Sequence, residues 1–267
     1  MRTSLRSLAL LAGLALPAAG QQTQTDNSFK WNGQIAAGNW VNVHNLNGTV
    51  TVGAATGSEV QVTATKRWRR GDPATVRIEA KKIGENVVIC ALWGERATCD
   101  ERGYNDNGNR GDRGNRNNRN DVSVDLNVLV PKGVKIGAGT VNGSVTVDGA
   151  TSQVEAGSVN GEVDVSTTGG PVNAETTNGS VRARMGHVET DDRMSFTTVN
   201  GNVIVEFTGD FGGDVDLSTV NGSLNTNFEM TVSGRLDPKH LRAHIGKAGG
   251  PRMKLETVNG NVELRRR

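Results

Sequence analysis

The phrase T-V-N-G-S-V-T-V at residues 140–147 recurs with small changes along most of this 267-residue chain. The other copies are N-L-N-G-T-V-T-V (45–52), S-V-N-G-E-V-D-V (158–165), T-T-N-G-S-V-R-A (176–183), T-V-N-G-N-V-I-V (198–205), T-V-N-G-S-L-N-T (219–226) and T-V-N-G-N-V-E-L (257–264). Their Asn-Gly glycines are Gly48, Gly143, Gly161, Gly179, Gly201, Gly222 and Gly260. From Gly143 onward they are 18, 18, 22, 21 and 38 residues apart, and the long last interval contains a variant, T-V-S-G, that ends at Gly234. A nearly constant period of this size is typical of a repeat architecture.

Each phrase predicts a turn followed by a β-strand. Val and Thr at alternate positions favour a pleated strand with one buried face. Asn-Gly tolerates positive φ, so it turns the chain at little steric cost. Two all-β architectures satisfy this pattern. Asn-Gly is either the corner of a coil in a parallel β-solenoid or the tight turn of a hairpin in an antiparallel array.

The composition favours the first architecture, a single elongated parallel β-solenoid (β-helix-like) with repeats of 18 to 22 residues. Each repeat has a second turn, such as Asp148-Gly149 or Gly169-Gly170, and so makes two short strands. A barrel of six or more hairpins has a wide interior to fill, but this chain has only five Phe, one Tyr and four Trp. Val, Ala and Thr suit a narrow coil better. The antiparallel hairpin array stays as the alternative, because Asn-Gly between alternating apolar residues is also a strong hairpin signal.

The first residues predict a secretory signal peptide at 1–20. Arg2 and Arg6 precede an apolar run at 8–17, which small residues follow. We therefore expect export to the periplasm, the cell surface or the extracellular space. No later segment is apolar enough to predict a membrane span.

The remaining chain is expected to contain a polar, disordered linker at residues 21–27 and one β-strand-repeat domain at 28–267. The full chain has 30 Lys and Arg against 28 Asp and Glu, so without Arg2 and Arg6 the two signs balance. A balanced chain has no overall electrostatic attraction to nucleic acid.

Cys90 and Cys99 are the two cysteines of the chain. In an exported protein such a pair predicts a disulfide, and a metal site or a reactive thiol is the alternative. The segment that follows, residues 101–121, consists of Asn, Gly, Arg and Asp apart from two residues. It has too few apolar residues to fold alone and is expected to be a disordered loop.

No catalytic, cofactor-binding or metal-binding residues are predicted. His240 and His244 have a zinc-site spacing only on a helix, and no third ligand is evident, so a surface loop or single helical turn is expected there. Equivalent strand positions of successive repeats carry a mixture of side chains rather than a catalytic cluster: Thr146, Asp164, Arg182, Ile204, Asn225 and Glu263. No nucleophile-elbow, phosphate-binding or dinucleotide-binding motif is present.

Four features together resemble a known family. They are the opening W-N-G-Q-I (31–35), the basic segment 66–73, the cysteine pair with its Asn/Gly/Arg-rich insertion, and the ladder of T-V-N-G phrases ending at 257–264. The chain is similar over nearly all of this length to a bacterial exported β-strand-repeat family of unknown function that carries the label "putative adhesin". The resemblance implies an exported, β-helix-like protein whose motifs are structural.

These observations predict a non-enzymatic cell-envelope protein, adhesin-like or structural, without a cofactor. Its expected partner is an envelope protein or a glycan, and its oligomeric state is not indicated. Two alternatives stay open: a carbohydrate-active β-helix enzyme, a lyase or hydrolase with clustered carboxylates, and a periplasmic accessory of envelope-stress signalling.

Overall fold

The computed structural model describes residues 21–25, 27–101, 103–105, 120–189, 191–234, 237–246 and 250–267. The signal peptide predicted at residues 1–20 lies outside these ranges. Within them the protein is all-β, as predicted, with one 3₁₀ turn at Pro73–Thr75.

The strands fall into three groups along the chain. Those before the regular repeats are β1 (Gln21–Gln24), β2 (Ser28–Gln34), β3 (Trp40–His44), β4 (Val50–Ala54), β5 (Glu59–Arg67), β6 (Val76–Ile83), β7 (Asn86–Trp93), β8 (Thr98–Asp100), β9 (Gly103–Asn105) and β10 (Ser123–Val130). Those of the repeat block are β11 (Lys135–Asn142), β12 (Val145–Ala150), β13 (Val154–Asn160), β14 (Val163–Gly169), β15 (Val172–Asn178), β16 (Val181–His187), β17 (Arg193–Asn200), β18 (Val203–Phe207) and β19 (Gly213–Asn221). The last group is β20 (Leu224–Thr226), β21 (Thr231–Val232), β22 (His240–Ile245), β23 (Arg252–Asn259) and β24 (Val262–Arg266).

Two mixed, eleven-stranded sheets contain all of these strands except β8 and β9, which pair with each other. Sheet A has the order β1-β2-β5-β10-β4-β12-β14-β16-β18-β24-β20. Sheet B has the order β21-β22-β19-β23-β17-β15-β13-β11-β3-β7-β6. The apolar side chains facing inward from both sheets form one continuous core, in which alternate residues of most repeat strands are buried.

The Asn-Gly turns carry the chain from sheet B to sheet A. Strand β11 ends at Asn142 in sheet B, and β12 begins at Val145 in sheet A. Equivalent residues of successive repeats are therefore parallel register partners, as in the series Val145, Val163, Val181, Val203. Ser158 pairs with Thr140 and with Thr176, in parallel, and not across its own turn with Val163. Hence the repeat block is not an array of antiparallel hairpins.

The strands outside the repeat block are not uniformly parallel, contrary to the sequence-based expectation. At one end of sheet A, β1, β2, β5 and β10 pair antiparallel, and in sheet B the pairs β6–β7, β19–β22 and β21–β22 are antiparallel. For the β6–β7 pair the physical reason is connection length. Only Gly84 and Glu85 join β6 to β7, and parallel strands need a crossover of a dozen or more residues. Strand β1 also corrects the predicted linker, because residues 21–24 pair with β2 instead of being disordered.

The order of the strands in space departs from their order in sequence at the end of the chain. Strand β23 lies between β17 and β19 in sheet B, and β24 lies between β18 and β20 in sheet A. The last phrase, at 257–264, is thus inserted between the copies at 198–205 and 219–226. The variant phrase that ends at Gly234 does not join the stack, because its Thr231–Val232 strand runs antiparallel to β22.

A set of threonine hydroxyls ties each turn to its neighbour in the stack. In six of the seven phrases the Oγ of the first residue donates to the carbonyl oxygen of the adjacent turn's glycine at 2.8–3.0 Å; the pairs are Thr140–Gly48, Ser158–Gly143, Thr176–Gly161, Thr198–Gly179, Thr257–Gly201 and Thr219–Gly260. These hydroxyl groups belong to buried residues. Each hydroxyl therefore gives the glycine carbonyl of the adjacent turn a hydrogen-bond donor. A buried carbonyl without a partner would reduce the free energy of unfolding by about 1–3 kcal/mol.

The asparagines of the same turns form a second ladder on the surface. Each Nδ2 donates to the Oδ1 of the adjacent asparagine at 2.8–3.0 Å, in the spatial order Asn221, Asn259, Asn200, Asn178, Asn160 and Asn142. Amide ladders of this kind stabilise stacked parallel strands.

The glycines of the turns are needed because neighbouring backbones approach closely. A Cβ on Gly143, Gly179, Gly201 or Gly260 would lie 1.9–2.1 Å from the carbonyl oxygen of the adjacent turn, and these residues also have φ of +152° to +158°. Gly161 and Gly222 are not among the glycines with left-handed φ, yet a Cβ there would lie 1.9 Å and 1.7 Å from the same kind of oxygen. Gly48 has φ +118°, and its Cβ would lie 2.2 Å from the Val124 carbonyl oxygen. Positive φ, the reason expected from the sequence, is therefore only part of the requirement.

Gly161→Ala tests the close approach without the complication of a left-handed φ. We expect it to lower the free energy of unfolding by at least about 2 kcal/mol, because the clashing atom is backbone and cannot rotate away. Gly57→Ala is the matched control, since a Cβ at Gly57 meets nothing within 4 Å, and it should change stability by less than about 0.5 kcal/mol. Urea denaturation of both variants gives the comparison, and equal effects would contradict the steric account.

Candidate functional site

The outer face of sheet B is the candidate functional surface. Because its parallel strands share one register, outward side chains form columns that run across the strands at about 4.8 Å per step. One column runs through Asn42, Gly137, Glu155, Asn173 and Ser195, and the next through His44, Gly139, Gly157, Glu175 and Thr197. Together these residues line a depression of about 390 Å³, here named the polar groove.

Glycines make the floor of the polar groove. A Cβ on Gly139 or Gly157 would make only ordinary contacts, at 3.5 Å or more, so the fold itself leaves room for a side chain at both positions. Glycine weakens a strand relative to a β-branched residue, because it has no side chain to pack and its backbone loses more entropy on folding. The side chains at its rim are hydrogen-bonding groups: two carboxylates, two carboxamides, two hydroxyls and an imidazole.

His44 stands at one end of the polar groove, under the β8–β9 hairpin. A Cβ on Gly103 of β9 would lie 2.6 Å from the imidazole ring, so the hairpin backbone packs directly on it. Burial lowers the pKa of His44 below its usual 6.5, and the nearby Asp100 carboxylate opposes this shift. At neutral pH the ring is therefore uncharged, with one nitrogen able to donate a hydrogen bond and the other able to accept one.

The disulfide holds that hairpin in place. Cys90 of β7 and Cys99 of β8 are bonded, with a Cα–Cα distance of 5.8 Å, which confirms the predicted pair. Val88, Cys90 and Leu92 point outward from β7, and with Ala97 and Cys99 they form a second small core. Tyr104 packs against this cluster, and its hydroxyl donates to the Trp93 carbonyl at 3.4 Å.

The loop predicted at residues 101–121 overlaps structured residues at both ends. Strand β9 lies within it, and at its far end the Asp121 carboxylate accepts hydrogen bonds from the backbone N–H groups of Gly71 (2.7 Å), Arg70 and Arg69. These bonds, that of Gly71 foremost, lower the pKa of Asp121. Residues 106–119 lie outside the described part of the chain.

An apolar stripe borders the polar groove on the side of the asparagine ladder. The second residue of each phrase points outward, and Val159, Val199, Val258 and Val220 are between 37% and 61% exposed. Thr177 stands between Val159 and Val199, and Val258 and Val220 continue the stripe onto β23 and β19, beyond the polar groove. Their neighbours in the same phrases are a buried hydroxyl residue on one side and an exposed asparagine on the other. The face therefore offers apolar surface and hydrogen-bonding groups side by side.

A second depression, of about 540 Å³, continues the same face beyond β17 and is here named the basic groove. Its charged lining residues are Arg193, Arg242, Arg252, Lys254, Asp214 and Asp216. His240 and His244, considered above for zinc, lie beside it on strand β22 and not on a loop or a helical turn. Nitrogen atoms of these histidines lie 2.8 Å from Asp216 Oδ1 and Asp214 Oδ1, respectively. In the described residues no group of three or more His, Cys, Asp and Glu is placed to hold a metal ion.

On the outer face of sheet A, Asp164, Glu206 and Glu263 form ion pairs with arginines. Arg184 lies 3.1 Å from Asp164 and 3.6 Å from Glu206, while Arg265 lies 3.3 Å from Glu206 and 3.0 Å from Glu263. The mixed column predicted from the sequence is present, running Thr146, Asp164, Arg182, Ile204, Glu263, Asn225. Its last two members are exchanged relative to the sequence, because β24 precedes β20 in the sheet.

The sequence predicted the turns but neither of the two grooves. The seven predicted turn glycines lie along one edge of the outer face and not in a groove. Arg193 and Arg252 had a recognisable signal, since R-M-S-F-T-T-V-N (193–200) and R-M-K-L-E-T-V-N (252–259) begin with the same dipeptide. Gly139 and Gly157 had a similar signal, since an Ala-Gly dipeptide precedes the phrases at 140–147 and 158–165. The other groove residues of β11, β13 and β15 had none, because their outward positions vary between repeats.

Comparison with known proteins supports the fold and adds a label. No family model and no curated protein matches the chain. A crystal structure of a "putative cell adhesion protein" from Clostridium sporogenes matches 89% of this chain and 99% of its own, at 9% identity and a TM-score of 0.50. A "putative adhesin" from Bacteroides fragilis covers 90% of this chain and 97% of its own at 8% identity, with a TM-score of 0.33 that carries no argument. The name of the first structure agrees with the resemblance drawn from the sequence, and at 9% identity that structure supports the fold alone. In the part of the chain that the structure describes, no helix has the length and apolar character that a membrane crossing requires.

The environment of His44 predicts a pH dependence of stability. In the unfolded chain this histidine takes up its proton near pH 6.5, whereas in the folded protein the lowered pKa delays uptake to a lower pH. The unfolded state then binds more protons, so the His44 contribution is fully present above about pH 7 and falls as the pH decreases through 6.5. We expect His44→Gln to lose less stability than the wild type between pH 7.5 and 5.5 in urea denaturation. Identical losses in the two proteins would show that His44 is not the responsible group.

Proposed function

We propose that this chain is a non-enzymatic, exported cell-envelope protein, adhesin-like, that binds a glycan along the outer face of sheet B. We also propose that the two sheets are the walls of one elongated, parallel β-solenoid, with antiparallel strands closing its ends. The export proposal rests on the signal-peptide pattern at residues 1–20 and on the disulfide, which is typical of oxidising compartments.

The observation that carries the binding proposal is the polar groove. It extends over β3, β11, β13, β15 and β17, and hydrogen-bonding side chains surround a glycine floor. Gly139 and Gly157 have room for side chains that the sequence does not place there, and glycine within a strand often marks a surface that a ligand approaches closely. Sugars present hydroxyl groups and apolar C–H faces, which complement the polar groove and the valine stripe beside it.

The carboxylates support binding over catalysis. A glycosidase needs a pair of carboxyl groups on either side of a scissile bond. On sheet A, Asp164, Glu206 and Glu263 each lie beside an arginine. On sheet B, Glu155 and Glu175 lie two residue positions out of register, on adjacent strands of an open groove. These arrangements favour a recognition surface.

Filling the groove floor tests this function. Gly157→Thr adds a β-branched side chain where a Cβ has room, so the thermal midpoint should stay the same or rise. Affinity for any glycan that the wild-type protein retains on a glycan panel should fall at least tenfold, as measured by titration calorimetry. Thr146→Gln adds similar bulk at an exposed position on the opposite sheet and should leave binding unchanged.

Three results would contradict the proposal. The first is that the wild-type protein retains no glycan. The second is that Gly157→Thr binds a glycan as tightly as Thr146→Gln does, and the third is that a retained glycan is cleaved. In the first case, capture of a single membrane protein from an envelope fraction would favour the signalling accessory instead.

A further inference from the structure

Two arginines of the basic groove stand next to each other without a carboxylate between them. Arg193 of β17 and Arg252 of β23 are direct register partners in parallel strands, so their Cα atoms are about 4.8 Å apart. Both are exposed and line the basic groove. Like charges on directly opposite residues of a sheet repel each other. Arg252 therefore has a like-charged neighbour, Arg193, on β17 and an oppositely charged register partner, Asp214, on β19.

The acidic groups around the pair are already engaged. Asp216 lies 3.0 Å from Arg242 Nε and 2.8 Å from His240 Nε2, and Asp214 lies 2.8 Å from His244 Nδ1. Lys254, the next outward residue of β23, forms an ion pair with Glu256. Asp192, which precedes Arg193, accepts a hydrogen bond from the Glu189 N–H at 2.8 Å.

The two guanidinium groups are therefore available to a ligand. Among the described residues, Arg193 and Arg252 form no ion pair with any carboxylate. A guanidinium presents its N–H donors in a planar fork that matches the two oxygens of a carboxylate. A carboxylate placed between the two forks would also remove the repulsion between them.

We propose that Arg193 and Arg252 form a binding site for the carboxylate of a uronic-acid residue in a polysaccharide ligand. This proposal rests on the glycan-binding function above and names the class of glycan. The ligand crosses from the polar groove, where its neutral sugars meet hydroxyl and amide groups, to the basic groove, where its acidic sugar meets the arginines. Strand β17 joins the two grooves, because Ser195 and Thr197 line the first and Arg193 lines the second.

The charges on the rest of the face favour such a glycan over nucleic acid. Glu155 and Glu175 line the polar groove and would repel a polymer with a charge on every unit. The chain as a whole has a formal net charge of only +2, whereas nucleic-acid binding rests on a broad basic surface. A polysaccharide that contains both neutral and acidic sugars matches the two grooves.

The test compares one oligosaccharide with and without its charge. The probe is an octasaccharide of alternating glucuronate and N-acetylglucosamine, and its methyl ester is the neutral counterpart. Binding to the chain from residue 21 to 267 is measured by titration calorimetry at low and moderate salt. We expect the acid to bind at least ten times more tightly than the ester.

The double variant Arg193→Gln/Arg252→Gln should abolish that preference and reduce affinity for the acid at least tenfold. Its thermal midpoint should change little, because the variant removes both the repulsion between the two arginines and the attraction of Arg252 to its register partner Asp214. The control Arg182→Gln/Lys132→Gln removes the same charge from exposed positions elsewhere and should bind like the wild type.

Several outcomes would overturn the proposal. The proposal is wrong if the ester binds as tightly as the acid, if the double variant binds the acid like the wild type, or if neither form of the probe binds. A DNA duplex that binds more tightly than the acid, and through the same arginines, would show a general polyanion site instead. If neutral glycans still bind and remain sensitive to Gly157→Thr, the proposed function stands and only the uronate site is wrong. If no glycan binds at all, both proposals are wrong.

Discussion

The hydrogen bond from a buried threonine hydroxyl to a glycine carbonyl one strand away is the interaction on which the rest of the structure depends. It satisfies a carbonyl at a corner, and it requires that the two turns approach so closely that neither glycine can have a Cβ. The turn that the sequence repeats is thus selected by its neighbour in the stack as well as by its own backbone angles. Because each turn has the same two contacts, every repeat is fixed in the same register as the one before it.

That shared register produces the surface to which we assign function. Once the turns are aligned, each outward position becomes a column, and the properties of the face follow from whichever residues occupy that column. Gly139 and Gly157 form the floor of the polar groove, and the exposed valines form the apolar stripe. Arg193 and Arg252 place two cations next to each other in the basic groove. Outward residues do not determine the fold, so they are free to differ between repeats and to define a binding site.

The sequence predicted the parts of the fold that depend on local chemistry. The alternation of Val and Thr predicted the strands and their buried faces, the Asn-Gly pairs predicted the turns, and the cysteine pair predicted the disulfide. It did not predict that β23 lies between β17 and β19, because the phrases at 198–205, 219–226 and 257–264 are nearly identical and contain no information on which pairs with which. Strand β1 was missed because Gln21–Gln24 has no apolar alternation. The grooves were missed because they form between residues far apart in sequence. The repeated Arg-Met dipeptide was a hint of the basic groove, and the repeated Ala-Gly dipeptide (138–139 and 156–157) was a hint of the polar groove.

Cysteine crosslinking at the exposed valines tests the stacking order most directly. Val199, Val258 and Val220 occupy the same position of β17, β23 and β19, so neighbouring members lie about 4.8 Å apart and the outer two about 9.6 Å apart. Disulfides need Cα atoms within about 7 Å. The account predicts that Val199→Cys with Val258→Cys, and Val258→Cys with Val220→Cys, close on oxidation, as seen by mass spectrometry, whereas Val199→Cys with Val220→Cys stays reduced. Closure of the last pair, with Val199→Cys and Val258→Cys remaining free, would contradict it.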